Sequence, residues 1–289
     1  MALAGRRLAQ AAGSVIGSQA AVFWRQFSNL SREVAPAARR LAAEPQHALN
    51  GADGRIQWVF LGSPGAGKGT YASRLSKYLN IAHISTGDLV RQELKNGSPI
   101  AIKVQEVMNR GQLLSDEIIF DLLSRRLEQG LVTGEGGFIL DGFPRTAVQA
   151  GVLESMTQID LAVNLTLREE VLVQKMLGRR LCSECGGNYN VANIDIAAKE
   201  GKPAIFMPPL PAPAGCEGKL VQRADDTEET VVARLKVYEE QSKPVEDFYS
   251  ERGRLLEFEI TGGIPETWPR LLETLGIESQ CEALASGSN

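Results

Sequence analysis

Histidine, long apolar runs and an excess of positive charge are what this chain has least of. Its two histidines are His47, in a linker-like stretch, and His83, ahead of an expected second strand. Neither is needed for acid–base work, and His83 reads as structural. No apolar run approaches the roughly 18 residues of a membrane span. There is no internal repeat. The 31 Lys and Arg are outnumbered by 35 Asp and Glu, giving a net charge of -4. That balance argues against a general nucleic-acid binder and leaves room for a local basic cleft that holds phosphates. The 43% of hydrophobic residues supports a substantial core.

Acidic residues are scarcest at the start. Residues 1–43 hold Arg6, Arg7, Arg25, Arg32, Arg39 and Arg40 against Glu33 alone. Wound as a helix, residues 3–16 set Leu8, Ala12, Val15 and Ile16 opposite Arg6 and Arg7. This is the Arg-rich, acid-poor, amphipathic pattern of an organellar presequence. Arg25-Gln26-Phe27-Ser28 looks like a mitochondrial processing site, while the Met1-Ala2 start keeps a chloroplast open. A plain basic tail is the alternative. Residues 1–54 are therefore read as transit peptide and linker, and residues 277–289 as a tail.

Strands and helices alternate in the remainder. Ile56–Leu61 is a short apolar run that stops at Gly62, and Tyr71–Leu79 has helical spacing. Ile84-Ser85-Thr86-Gly87-Asp88 reads as a strand end capping a helix. Segments 98–109 and 115–129 are helical in pattern. Further apolar runs lie at Gly137–Leu140, Leu161–Leu165 and Leu256–Ile260. The expected fold is α/β, a doubly wound parallel five-stranded sheet with helices on both faces. From Cys182 to Leu220 the rhythm breaks under five prolines, as in an inserted flap. Helix resumes after Asp226, and Pro244 predicts a break near Ser242.

The main chemical signal is Gly62-Ser63-Pro64-Gly65-Ala66-Gly67-Lys68-Gly69-Thr70. Its glycines let backbone N–H groups wrap phosphate oxygens, and the following helix adds its positive end. Lys68 supplies a mobile cation to the β- and γ-phosphates. The usual pattern has Ser or Thr directly after the Lys; here Gly69 intervenes before Thr70. Asp141, closing the third apolar run, stands where a P-loop protein places the carboxylate that orients magnesium and its waters.

With these motifs the sequence resembles the adenylate kinases with a long lid, most of all the plant organellar type, over roughly residues 56–275. Gly-Lys-Gly-Thr is the variant found in nucleoside monophosphate kinases. The resemblance implies a reversible transfer, ATP + AMP = 2 ADP, with Mg2+ carried on ATP, by a monomer with no nucleic-acid partner. It implies that Gly65, Ala66, Gly67, Lys68, Gly69, Thr70, Lys175, Arg179 and the backbone at Ile264 bind ATP. Thr86, Arg91, Leu114, Gly142, Arg145, Gln149, Arg223 and Arg234 would bind AMP, with Gln149 reading the adenine edge. Lys68, Asp141, Arg145, Arg179, Arg223 and Arg234 would serve catalysis, and Asp225 and Asp226 the lid hinge. Residues 55–84, 115–178 and 227–276 would form the core, 85–114 an AMP clamp and 179–226 the lid. The physics agrees: phosphates meeting end to end need several guanidiniums, which pair bidentately and stay charged. The AMP phosphate, with a second pKa near ~6, is already an anionic nucleophile and needs no base.

Three features depart from the family pattern. Lys175 replaces an Arg that packs on adenine, and Tyr71 replaces a Gln. Cys182 and Cys185 resemble half of a lid zinc site, whose second half is reduced to Cys216 with Pro213 in its partner's place. Plain thiols are favoured there over zinc or a redox-responsive Cys182–Cys185 pair. The alternatives to an adenylate kinase are a UMP, CMP or GTP-using relative and a catalytically dead P-loop binding module. The long lid and Gln149 speak against the first, and the intact Lys68, Asp141 and arginines against the second.

Overall fold

The computed structural model describes residues 55–96, 101–102, 115–198, 201, 203–223 and 226–277. The expectations for the two termini, for Leu114 and most of the 97–114 stretch, and for Asp225 lie outside the described residues.

The central sheet has five parallel strands: β1 (Ile56–Leu61), β2 (Ala82–Ser85), β3 (Gly137–Asp141), β4 (Leu161–Thr166) and β10 (Leu255–Glu259). Their order is β10-β4-β1-β3-β2. Successive residues of β1 serve opposite faces, as the two-residue period of a strand demands. Trp58 and Phe60 join one core cluster with Leu75, Val163, Leu165 and Leu271. Val59 and Leu61 join another with Leu123, Leu140, Leu153 and Tyr249. A strand buried on both faces shows little alternation in sequence, and so β1, β3 and β4 read as mostly apolar runs, interrupted by Gln57 in β1 and the buried Asn164 in β4.

Eight helices accompany the strands among the described residues: α1 (Lys68–Leu79), α2 (Thr86–Asn96), α3 (Asp116–Thr133), α4 (Ala147–Met156), α5 (Glu169–Leu177), α6 (Glu228–Val237), α7 (Lys243–Ser250) and α8 (Ile264–Thr274). The Thr146 hydroxyl caps α4 by accepting from Gln149 N, and Thr227 caps α6 by accepting from Thr230 N. Between α6 and α7 a π-helical turn spans Tyr238–Ser242. Pro244 then falls in the first turn of α7, where its missing N–H does no harm. The break expected near Ser242 thus takes the form of a widened turn.

The Pro-rich stretch holds more structure than its composition foretells. β5 (Arg179–Cys182), β6 (Asn188–Asn190) and β9 (Leu220–Val221) form a small antiparallel sheet in the order β6-β5-β9. A separate hairpin pairs β7 (Ile194–Ile196) with β8 (Ile205–Met207). This hairpin is built into the main body: Ile194, Ile205 and Met207 are buried in the cluster of Trp58 and Phe60. Asn190 Nδ2 donates to Lys175 O (2.7 Å), Val191 N to Gly178 O (2.9 Å) and Arg168 Nη1 to Pro203 O (3.1 Å), which fixes it to α5 and its flanks.

Candidate active site

The carboxyl ends of β1 and β3 lie side by side, with Phe60 registered on Asp141. Open α/β sheets bind ligands at this edge. The loop after β1 reaches α1 through Gly67, whose φ of 99° belongs to the left-handed region that favours glycine. The first turn of α1 carries no acidic residue, so its positive end is uncompensated. Lys68 Nζ folds back onto Gly62 O (2.6 Å) and Ser63 O (3.0 Å). A Cβ placed on Gly69 would lie 3.0 Å from Asp141 Oδ2, so a larger residue there would push this carboxylate back from the loop by a few tenths of an ångström. His83 Nε2 stands 3.8 Å from the same oxygen.

Lys68 is the electrostatic centre. Burial, opposed by Asp141 and reinforced by Arg145, Arg234 and Arg179, brings its pKa down to about 8. Three of the sequence-predicted guanidiniums therefore act on one ammonium. Arg145 Nε donates to Gly142 O (2.8 Å), and desolvation, then Arg234, holds its pKa below the ordinary arginine value. Arg179 Nε donates to Asp226 Oδ2 (2.8 Å) while its Nη2 pairs with Asp226 Oδ1. Asp226 is fully buried, and Arg234 Nη1 stands 4.0 Å from its Oδ1. One carboxylate thus organises two of the expected phosphate ligands. Arg223 Nη2 donates to Asn188 Oδ1 (3.2 Å), which ties it to β6.

On the β2 side, Thr86 is buried at the start of α2, its hydroxyl 3.5 Å from Asp141 O. A Cβ on Gly142 would come within 2.9 Å of that hydroxyl. Arg91 pairs with Asp88 one turn earlier, at the exposed end of the cleft. Gln149 is buried: its Nε2 donates to Asp116 Oδ1 (2.7 Å) and its Oε1 accepts from Arg145 N (2.7 Å). On the α5 side, the Lys175 ammonium lies 3.5 Å from where a Cβ on Gly67 would stand, and burial lowers its pKa to about 8. Ile264, at the start of α8, lines a groove of about 380 Å³ with Arg74, Pro208, Leu210 and Trp268.

The described residues bring Lys68, Asp141, Arg145, Arg179 and Arg234 to one cleft, flanked by Thr86 and Gln149. Sequence reasoning missed the pairing role of Asp226 and the partnership of Asp116 with Gln149. Both join residues far apart in the chain, and no local motif announces them. Cys182 and Cys185 stand together at the end of β5. Cys216 joins them, and the three sulfurs lie within 4.8 Å of one another, with no fourth ligand among the described residues. The Cys185 thiol is brought down to about 7, first by the Tyr189 hydroxyl and then by Gly187 N–H.

A family profile described as adenylate kinase matches residues 60–254. "Adenylate kinase 1, chloroplastic" of Arabidopsis thaliana is 59% identical over 226 residues, covering 78% of this chain and 80% of its own. "Probable adenylate kinase 6, chloroplastic" of the same plant is 50% identical over 287 residues, covering 96% and 97%. An adenylate kinase of Ruminiclostridium cellulolyticum is 38% identical over 224 residues, covering 76% and 99%.

Proposed function

The chain belongs to the adenylate kinase family, and on that premise we propose that it transfers a phosphoryl group reversibly, ATP + AMP = 2 ADP, in the cleft around Lys68. The observation that carries this reading is the convergence of Asp141, Arg145, Arg179 and Arg234 on the Lys68 ammonium at the mouth of a glycine loop.

The reaction exchanges one phosphoanhydride for another, so the work is positioning and charge neutralisation. ATP lies with its phosphates on the Gly65–Thr70 backbone and its base between Lys175 and Ile264. AMP enters beside Thr86, Arg91, Leu114, Gly142 and Gln149, and the Arg145 guanidinium orients its phosphate for in-line attack. Lys68 swings from the Gly62 and Ser63 carbonyls onto the β- and γ-phosphates. Arg179, Arg223 and Arg234 gather around the transferring group, Asp226 holding two of them in place. A carboxylate beside Gly69 and a hydroxyl at Thr70 suit the Mg2+ that ATP brings, which when bound neutralises phosphate charge. Thr70 would touch it directly and Asp141 through its waters. Residues 85–114 and the strand-bearing parts of 179–226 close over the two nucleotides and exclude water.

The protein works as a monomer inside an organelle, with residues 1–54 as its address. The relatives named chloroplastic favour the chloroplast stroma over the mitochondrial matrix. No helix among the described residues is long and apolar enough to cross a membrane. A fluorescent reporter fused after Asn50 is expected in chloroplasts; a mitochondrial or cytosolic signal would reject that assignment.

The deciding assay supplies the full chain with Mg-ATP and, in turn, AMP, UMP, CMP and GMP. Strong preference for AMP is expected. Transfer to UMP or CMP would discard the acceptor pocket around Gln149. ATP binding without transfer to any acceptor would favour a nucleotide-binding module.

A further inference from the structure

Nothing in the phosphoryl-transfer reading uses the three cysteines at the far end of the β6-β5-β9 sheet. Two tight turns deliver them. In the first, Cys182 N–H bonds to Gly187 O (3.0 Å) and Gly186 N–H to Cys182 O (3.0 Å). In the second, Cys216 N–H bonds to Pro213 O (3.0 Å) and Lys219 N–H to Cys216 O (3.0 Å). Ser183 N–H, donating to Lys219 O at 2.9 Å, ties one turn to the other. The result sets Cys185 Sγ 3.6 Å from Cys216 Sγ, across 31 positions of sequence.

These sulfurs differ in access and in surroundings. Cys182 is buried, Cys185 exposed and Cys216 half-buried. Gly187 N–H points at Cys185 Sγ (3.4 Å), and the Tyr189 hydroxyl lies 3.6 Å from it. Donors aimed at sulfur favour the thiolate, which is the nucleophile in disulfide exchange. A structural zinc fills four tetrahedral positions, and three sulfurs are all that the described residues gather. What remains is an accessible thiol with a second thiol at its side.

We propose that Cys185 and Cys216 form a reversible disulfide by exchange with a low-molecular-weight disulfide such as oxidised glutathione. The Cys185 thiolate attacks one sulfur of the glutathione disulfide, whose S–S bond breaks and releases one glutathione thiolate. Cys216, losing its proton to solvent, attacks the Cys185 sulfur of the mixed disulfide and expels the second. Two protein thiols are oxidised, one disulfide is reduced to two thiols, and the released protons match the thiolates that take them up. Closing the bond draws the two sulfurs from 3.6 Å to about 2.0 Å.

The bond would staple a weak point. β9 pairs with β5 through Leu181↔Val221 and Cys182↔Leu220 alone, and the link joins the turns at the ends of these strands. Arg179 begins β5 and Arg223 lies two residues beyond β9. Oxidation therefore fixes the frame that carries two of the expected phosphate ligands.

The test takes the full chain, with the fourth cysteine, Cys281 of the C-terminal tail, removed by Cys281→Ser, through glutathione buffers of graded oxidised-to-reduced ratio, followed by thiol alkylation and peptide mass mapping. A linked Cys185–Cys216 peptide, lighter by two hydrogens and restored by dithiothreitol, is expected, with an upward shift of the melting midpoint. Cys216→Ser should trap a glutathione adduct on Cys185, and Cys185→Ser should give no crosslink. A Cys182–Cys185 link in its place, thiols that stay reduced throughout, or a zinc ion that survives chelator washing and shields all three sulfurs would each overturn the proposal. The readout is covalent mass, so it stands or falls separately from the phosphoryl-transfer reading.

Discussion

Arg179 and Asp226, 47 positions apart, meet in a two-pronged ion pair in which the carboxylate is fully buried. Asp226 also faces Arg234 at 4.0 Å, so the loss of one side chain disturbs two cations. Asp226→Ala should destabilise the protein by about 3 kcal/mol, the lower end for one-sided loss of a buried pair because Arg179 keeps some access to water. Turnover should fall more steeply than binding of ATP alone. Denaturant unfolding and steady-state kinetics read the two effects, and unchanged values in both would contradict the assigned role.

Lys68→Met should reduce turnover about a hundred- to a thousand-fold, the usual effect of removing one preorganised charge donor, with the circular dichroism spectrum unchanged. Retention of near-normal turnover would remove Lys68 from the mechanism.

A pH profile follows from the burial of the same ammonium. Its pKa in the free protein is depressed to about 8, so Lys68 is charged below that pH and neutral above it. Polyphosphate favours the charged form, and Mg-ATP affinity should weaken as pH rises from 7 to 9, by at most about tenfold per unit for one linked proton. For the free protein the linkage has the opposite sense. The unfolded lysine binds its proton more tightly, so the stability penalty present below pH 8 is relieved between 8 and 10.5. Titration calorimetry across this range checks the binding slope, which Lys68→Met should reduce.

The parts read directly from the chain share one property: their signal is local. β1, the glycine loop and α1 follow one another within 24 residues, and each carries its own periodicity or turn chemistry. Pro244 likewise marks the α6–α7 break by itself. The β7–β8 hairpin stayed hidden because three-residue strands are too short to show a period, and Pro203 and Pro208 on either side of β8 read as loop. Asp226 could be placed at the end of the lid but not opposite Arg179, since nothing at position 226 names a partner so far upstream. The last strand begins at Leu255, one residue before the expected start, because pairing with β4 sets its limits and composition does not.

Gln149→Leu tests acceptor recognition. It leaves Asp116 and Arg145 N without their amide partner, and it should raise KM for AMP about ten- to a hundredfold, the cost of one or two unpaired polar groups. KM for ATP should stay near its original value. An equal rise for both nucleotides would point to a general loosening of the site.

Ile205→Ala probes the hairpin. A buried Ile shortened to Ala costs about 2–5 kcal/mol, and Ile205 lies in the core cluster of Trp58 and Phe60. KM for ATP should rise more than KM for AMP, because the hairpin packs against α5 and Pro208 just beyond it meets the start of α8. Differential scanning calorimetry and initial-rate kinetics distinguish that pattern from simple unfolding.

The hairpin divides the residue 179–226 stretch into arms and a fixed midpoint. With Asn190, Val191 and Pro203 fastened to the flanks of α5, and Pro208 packed at the start of α8, any swing of the arginine-bearing strands pivots about seams at residues 190 and 208. Pro208 sits against Gly263 on the main frame, while Leu210 is bridged to Asn190 at the seam. On the proposed reading, the donor base would have a standing seat before any closure, and the cations that meet its phosphates would be the groups that travel. Recognition of the base would then belong to the frame, and assembly of the reactive centre to the arms.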